Sequence, residues 1–185
     1  MNSYLITDPK YFSHDTVTFQ ETLRKVLSEH HPDFVLYRDK NNSAYAEMAK
    51  QFLTLCGQFT ETKALLHGDI ELAAGHGAFG VHLTSLQFDD IEKAKALGLF
   101  VVISCHSEED ILNAVQKGAD AVTYSPIFST PNKGKPKGLE DLQHIVDKIS
   151  LPIIALGGIT TPEQVKAVEK SGAYGFASIR YFIDN

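Results

Sequence analysis

The sequence predicts an α/β chain folded as a small (β/α)8 TIM barrel, one domain over residues 1–185 with a truncated last helix. Two observations carry this. Eight short apolar runs, rich in branched and aromatic residues, alternate with longer stretches whose apolar positions recur at helical spacing, and βα repetition of that kind builds a parallel sheet covered by helices. Eight such units in 185 residues also leave space for one core and short connections, which favours closure into a barrel over an open doubly wound sheet. No G-x-G-x-x-G follows the first strand to support a dinucleotide site.

The units run in order along the chain. Tyr4–Thr7 is the first strand, with a helix over Thr18–Glu29; Phe34–Arg38 follows, with Ser43–Phe59; then Ala64–His67 with Ile70–Gly75, and Gly80–Leu83 with Asp89–Leu97. Leu99–Ser104 leads into Ile111–Lys117, and Ala121–Tyr124 into a long loop before Leu139–Ile149. Pro152–Leu156 leads into Pro162–Ser171, and Tyr174–Ile179 is followed by a stub. Thr161-Pro162-Glu163-Gln164 is a capping box with proline at the first helical position, and Gly98, Gly118 and Gly172 stand where left-handed caps end three helices.

Composition narrows the class of function. With 17 Lys and Arg against 23 Asp and Glu, the chain carries a net charge of −6 and no basic block, so nucleic acid is not expected as a partner. No run is long enough to span a membrane, and Met1–Pro9 lacks a signal-peptide pattern. Cys56 and Cys105 match neither a disulfide framework nor a zinc knuckle, so the expected location is the cytoplasm.

In such barrels the reacting groups stand where strands end. Those ends carry Asp8, Arg38 with Lys40, His67, His82, Ser104 with His106, Ser125, Gly157 with Gly158, and Ser178. Gly157-Gly158 after the seventh strand and Ser178-Ile179-Arg180 after the eighth form a phosphate cradle, in which glycine lets N–H groups approach an anion and a helix N-terminus adds its dipole. Arg180 either adds charge there or caps the surface. The loop Ser125–Leu139 carries Lys133, Lys135 and Lys137 and reads as a clamp on an anion, with Lys135 and Lys137 in solvent. In Arg38-Asp39-Lys40 the cations either meet phosphate or carboxylate or pair with Asp39. His67, His82 and His106 are candidate proton carriers, while Asp69, Asp89 and Asp90 read as Mg²⁺ ligands or helix-start acids.

These residues resemble the thiamin phosphate synthase and TenI superfamily over nearly the whole chain. The likeness rests on Tyr4-Leu5-Ile6-Thr7-Asp8, Tyr37-Arg38-Asp39-Lys40, Gly80-Val81-His82-Leu83, Ser104-Cys105-His106-Ser107, Gly118-Ala119-Asp120, Thr130-Pro131-Asn132-Lys133 before Gly138-Leu139, and Pro152 through Ile159. In the synthase branch the resemblance implies that Arg38, Lys40, Thr130 and Lys133 hold a pyrophosphate, and that Gly158 and the turn near Ile179 hold a thiazole phosphate. That reaction joins hydroxymethylpyrimidine pyrophosphate to thiazole phosphate and expels pyrophosphate, with Mg²⁺ and cations balancing the charge.

The metal acids of that branch are missing. His67-Gly68 stands where the family has Asn-Asp, Thr84-Ser85-Leu86-Gln87 where it has Gly-Gln-Glu-Asp, and Leu36 replaces a glutamine. The TenI branch, which aromatises a thiazole carboxylate phosphate tautomer, also has glycine after the third strand, but its histidine after the sixth corresponds to Pro126, leaving His67 or His106 as the base. The sequence-level expectation is a TenI-like tautomerase or diverged relative that binds a thiazole phosphate at Gly157, Gly158, Ile179 and Arg180, with no resident metal ligands. A synthase, for which alone Mg²⁺ is expected, and a non-catalytic pathway binder are the alternatives. Barrel wall left bare by the short C-terminal helix suggests a homodimer.

Overall fold

In the computed structural model, which describes residues 1–185, eight parallel strands close into a barrel in chain order. They are β1 (Asn2–Ile6), β2 (Phe34–Tyr37), β3 (Lys63–His67), β4 (Gly80–Leu83), β5 (Phe100–Cys105), β6 (Ala121–Tyr124), β7 (Ile153–Leu156) and β8 (Gly175–Ser178), with β8 returning to β1 through Leu5 opposite Ser178. The helices are α1 (Pro9–Phe12), α2 (Thr16–His30), α3 (Tyr45–Cys56), α4 (Ile70–Gly75), α5 (Ile91–Ala96), α6 (Glu108–Lys117), α7 (Gly138–Lys148), α8 (Pro162–Lys170) and α9 (Tyr181–Asp184). No helix is long and apolar enough to cross a membrane.

Alternation along each strand creates two cores. Tyr4, Ile6, Phe34, Leu36, Leu65, Val102, Ala121, Ile154 and Ala177 pack inside the barrel, and their strand neighbours such as Leu5, Val35, Leu66, Val101 and Val122 pack outward under the helices. The same period, carried past the last apolar pair, puts Arg38, His67, His82, Ser104 and Ser125 on the inward rows at the C-terminal ends. The site is thus a continuation of the inner core in polar residues.

The predicted caps form. Gly98, Gly118 and Gly172 have φ of 77°, 86° and 76°. Gln164 Oε1 accepts from the Thr160 and Thr161 N–H groups at 2.8 and 3.1 Å, while Thr161 Oγ1 accepts from Gln164 N at 3.3 Å.

Departures from the sequence reading have local causes. β1 starts two residues early because Asn2 pairs with Gly175 and donates its N–H to Tyr174 O at 3.1 Å. α6 starts at Glu108, since the Ser107 hydroxyl accepts from Asp110 N at 3.1 Å and three acids fill the first turn. The unexpected α1 follows from Asp8 as N-cap and Pro9 at the first position, and its four residues are too few to show periodicity.

The terminal stub is α9, where Phe182 is buried and stacks on Phe176 of β8 at 5.9 Å, with His30 edge-on at 5.6 Å. These rings cover the β8 wall, so sealing that wall does not require a second subunit. Cys56 and Cys105 are free and buried.

Candidate active site at the barrel mouth

A cavity of about 440 Å³ opens at the strand C-termini, a size suited to a small phosphorylated ligand. Every site residue singled out from sequence lines it: Arg38, Lys40, His67, His106, Thr130, Lys133, Gly157, Gly158, Ile179 and Arg180. A second cavity, about 580 Å³, lies at the opposite end, against the start of β3 and the turn before β4; it gathers no strand-end polar groups.

Gly157 and Gly158 make the β7 side of the mouth. Their φ values are 103° and 68°, and the loop after β6 presses on both. A Cβ on Gly157 would meet Pro126 Cα at 2.8 Å, and one on Gly158 would meet Ser129 O at 2.6 Å. Ile127 N donates to Leu156 O at 2.9 Å and Phe128 N to Gly157 O at 3.0 Å, so the loop is hydrogen-bonded to the end of β7. The glycines are therefore needed for packing whether or not an anion is bound.

The N–H groups of Gly157, Gly158, Ile179 and Arg180 have no intramolecular acceptor. Four free donors stand at adjacent strand ends, an arrangement able to receive an anion. Ser178 Oγ ties its frame together, donating to Ile159 O at 2.7 Å and accepting from Tyr181 N at 3.1 Å. The helix dipole expected after the eighth strand is weaker than the sequence reading held, because α9 has four residues and few aligned peptides to sum. Arg180 is exposed at its N-cap.

On the β2 side, the question of whether Arg38 and Lys40 pair with Asp39 is answered by other partners. Buried Asp39 Oδ2 lies 2.9 Å from His14 Nδ1 and accepts from Asn42 Nδ2 at 3.1 Å. Arg38 instead lies 3.9 Å from Asp8, a weak contact. Lys40 is held below the ordinary lysine range, first by Arg38, then by desolvation, and further by Lys133 across the mouth. Three cations thus face one space without a close carboxylate. Lys137 turns away, with Nζ 5.1 Å from the Tyr124 ring centre.

The histidines differ. His82 is buried, its Nδ1 2.9 Å from the Tyr4 hydroxyl and its Nε2 3.0 Å from Ser104 Oγ. The buried Tyr4 phenol has no other partner, so satisfying its proton requires donation to Nδ1. Nε2–H then donates to Ser104, which is left with its own proton to offer the mouth. Burial, chiefly, lowers His82 to about 3 and keeps it neutral.

His67 is lowered to about 4 by burial and by Arg38 and Lys40, and its buried Nδ1 has no hydrogen-bond partner. A group with that pKa is neutral but a weak proton acceptor at pH 7. His106 is exposed, and its Nδ1 lies 3.1 Å from Ser125 O.

The cavity also contains residues the sequence reading missed, among them Lys10 and Tyr11 from α1. Asp8-Pro9 was the available signal, a helix start directly after a strand end. Lys10, Arg38, Lys40, Lys133 and Arg180 give the lining five cations, and none of its 26 residues is Asp or Glu.

A magnesium ion, implied for the synthase branch, finds no matching donor set here. No three His, Cys, Asp or Glu side chains stand together to hold a metal. The nearby acids are committed elsewhere: Asp8 caps α1, Asp39 holds His14 and Asn42, and Asp69 accepts from Leu72 N at 2.9 Å to cap α4.

Known proteins agree with this architecture. The family model described as thiamine monophosphate synthase matches residues 3–182. A relative from Aquifex aeolicus named "Putative thiamine-phosphate synthase 2" is 34% identical over 98% of this chain and 97% of its own length. A thiamine-phosphate synthase of Synechocystis sp. is 30% identical over 98% of this chain, which spans about half, 52%, of that longer protein. Among solved structures, a thiamine phosphate pyrophosphorylase from Pyrococcus furiosus superposes with a TM-score of 0.80 at 28% identity, over 96% of this chain and 85% of that one.

Proposed function

The chain belongs to the thiamine monophosphate synthase family, and we propose that it joins a hydroxymethylpyrimidine pyrophosphate to a thiazole phosphate, releasing pyrophosphate. The observation that carries this reading is a mouth with free main-chain N–H donors on one side, cations on the other and no carboxylate in its lining. In the proposed complex the thiazole phosphate lies on the free N–H groups of Gly157, Gly158, Ile179 and Arg180. The pyrophosphate lies against Arg38, Lys40 and Lys133, with Thr130 beside it.

As the bond to pyrophosphate breaks, its electron pair stays on the leaving oxygen, and fixed cations stabilise that growing charge without having to reorganise. Ser104, held as a donor by the Tyr4–His82 chain, orients an acceptor on the ring between the two anions. No protein base is needed at the bond that breaks.

That last point supports transfer over the tautomerase expected from sequence. Tautomerisation needs a proton acceptor, and of the two candidates His67 is a poor one, held near 4 by burial and neighbouring cations, while His106 is exposed with its Nδ1 against Ser125 O. The relatives' names, too, are those of synthases. Release of pyrophosphate with both substrates present, and not with either alone, is the expected assay result. Binding of thiazole phosphate with no release would turn the reading to a pathway binder, and aromatisation of the thiazole carboxylate tautomer, lost in a His67→Ala and His106→Ala double variant, would restore the tautomerase.

A further inference from the structure

We propose that the pyrophosphate side of this mouth binds its anion without a divalent cation, the protein's own side chains taking the place of the metal. The inference rests on the two-anion reading above. It starts from charge inside one cavity. In a chain of net charge −6, the lining holds five cations and no acid. A divalent cation entering that space is repelled by each of Lys10, Arg38, Lys40, Lys133 and Arg180, and the one carboxylate that pairs with any of them, Asp8, stands outside the lining, 3.9 Å from Arg38 and engaged as the N-cap of α1. An anion experiences the opposite.

The positions where the resemblance calls for metal-binding acids support the same conclusion. Those positions hold Gly68 after β3 and Leu86 and Gln87 after β4, and the Gln87 side chain is bonded to Thr84 N and Gly68 O. None brings a negative charge. His67 lines the cavity with a ring that brings no negative charge, its Nδ1 buried and without a protein partner. Arg38 presents a planar fork suited to two oxygens at once, and its only carboxylate neighbour is Asp8 at 3.9 Å. Lys40 and Lys133, on different loops, both line the cavity, so a ligand between them is held from two sides.

The remaining acids cannot easily be recruited. Asp39 is 6% exposed and bonded to both His14 and Asn42, and Asp69 is engaged as a helix cap. Freeing either breaks an existing contact.

The test is calorimetric titration of the full chain with inorganic pyrophosphate in excess EDTA and, in parallel, in saturating Mg²⁺, with thiazole phosphate titrated under the same two conditions. The expected result is pyrophosphate affinity within about threefold between the two conditions, and a loss of about tenfold or more in Arg38→Ala under EDTA. Ser85→Asp, which adds one carboxylate to the mouth, should weaken pyrophosphate binding in EDTA and make it respond to Mg²⁺.

Pyrophosphate that binds only with Mg²⁺, or about tenfold more tightly with it, overturns the inference and leaves the function intact. Thiazole phosphate binding with no pyrophosphate binding in either condition overturns it as well. Failure of both anions to bind removes the proposed function itself.

Discussion

On the β7–β8 side of the mouth, the groups proposed to meet an anion are main-chain N–H donors on Gly157, Gly158, Ile179 and Arg180, framed by the Ser178 hydroxyl. On the β2–β3 side they are the side chains of Arg38, Lys40 and His67, joined by Lys133 from the β6–α7 loop. The first arrangement follows from backbone path and is insensitive to most side-chain changes. The second depends on the identity of each residue. A chain can therefore keep the backbone of one side while the opposite side of its mouth diverges, and here the departures from the synthase pattern fall within β2, at the end of β3 and after β4.

Adding a methyl group to the backbone side should have the largest effect. Gly158→Ala places a Cβ 2.6 Å from Ser129 O at a φ of 68°, so a loss of at least about 2 kcal/mol in stability is expected, with thiazole phosphate binding falling about tenfold or more. Urea melts and calorimetry measure both; an unchanged melt would refute the packing argument.

Arg38→Ala should spare stability and thiazole phosphate affinity while weakening pyrophosphate binding by about 1.5–3 kcal/mol, the range for hydrogen bonds to charged groups. Equal loss at both ligands would erase the distinction between the two sides. Ser178→Ala should cost about 1–2 kcal/mol of stability, since it leaves the Ile159 carbonyl and Tyr181 N–H without their shared partner. Its effect should fall on thiazole phosphate alone.

Acid should act through the histidines. The folded values of His67 and His82, about 4 and about 3, lie below the ordinary 6.5, so the unfolded chain binds more protons between those limits. Their contribution is full above about 6.5 and declines as pH falls toward about 4. Urea midpoints measured across that window should drop, with a shallower slope in His82→Leu, which is destabilised at every pH by losing the Tyr4 and Ser104 contacts. The smallest effect belongs to Lys135→Ala, expected to change pyrophosphate affinity by less than about twofold, as for an exposed charge.

Much of this was legible in the sequence because strands and helices bury faces with different periods. Ile70–Gly75, Gly80–Leu83 and Ala121–Tyr124 coincide with the elements read from periodicity, and every strand-end candidate except Asp8, which caps α1, lines the mouth. What stayed hidden depended on contacts between distant residues. Asp39 stands between Arg38 and Lys40 in sequence, yet its partner is His14, 25 positions away. The Tyr4–His82–Ser104 chain joins three strands, and no local pattern reports it. Lys10 escaped notice because α1 is a single turn.

The loop between β6 and α7 reaches both sides of the mouth. Phe128 and Ser129 lie on Gly158, and a few residues later Thr130 and Lys133 line the pyrophosphate side. Under the proposed function, a ligand that moved one end of this segment would act on the other, and occupancy of the two subsites would be thermodynamically linked. Linkage is reciprocal, so whatever factor the first substrate imposed on the affinity of the second, the second would impose on the first. The stiffness of one short segment of chain would then set the order in which the proposed substrates add.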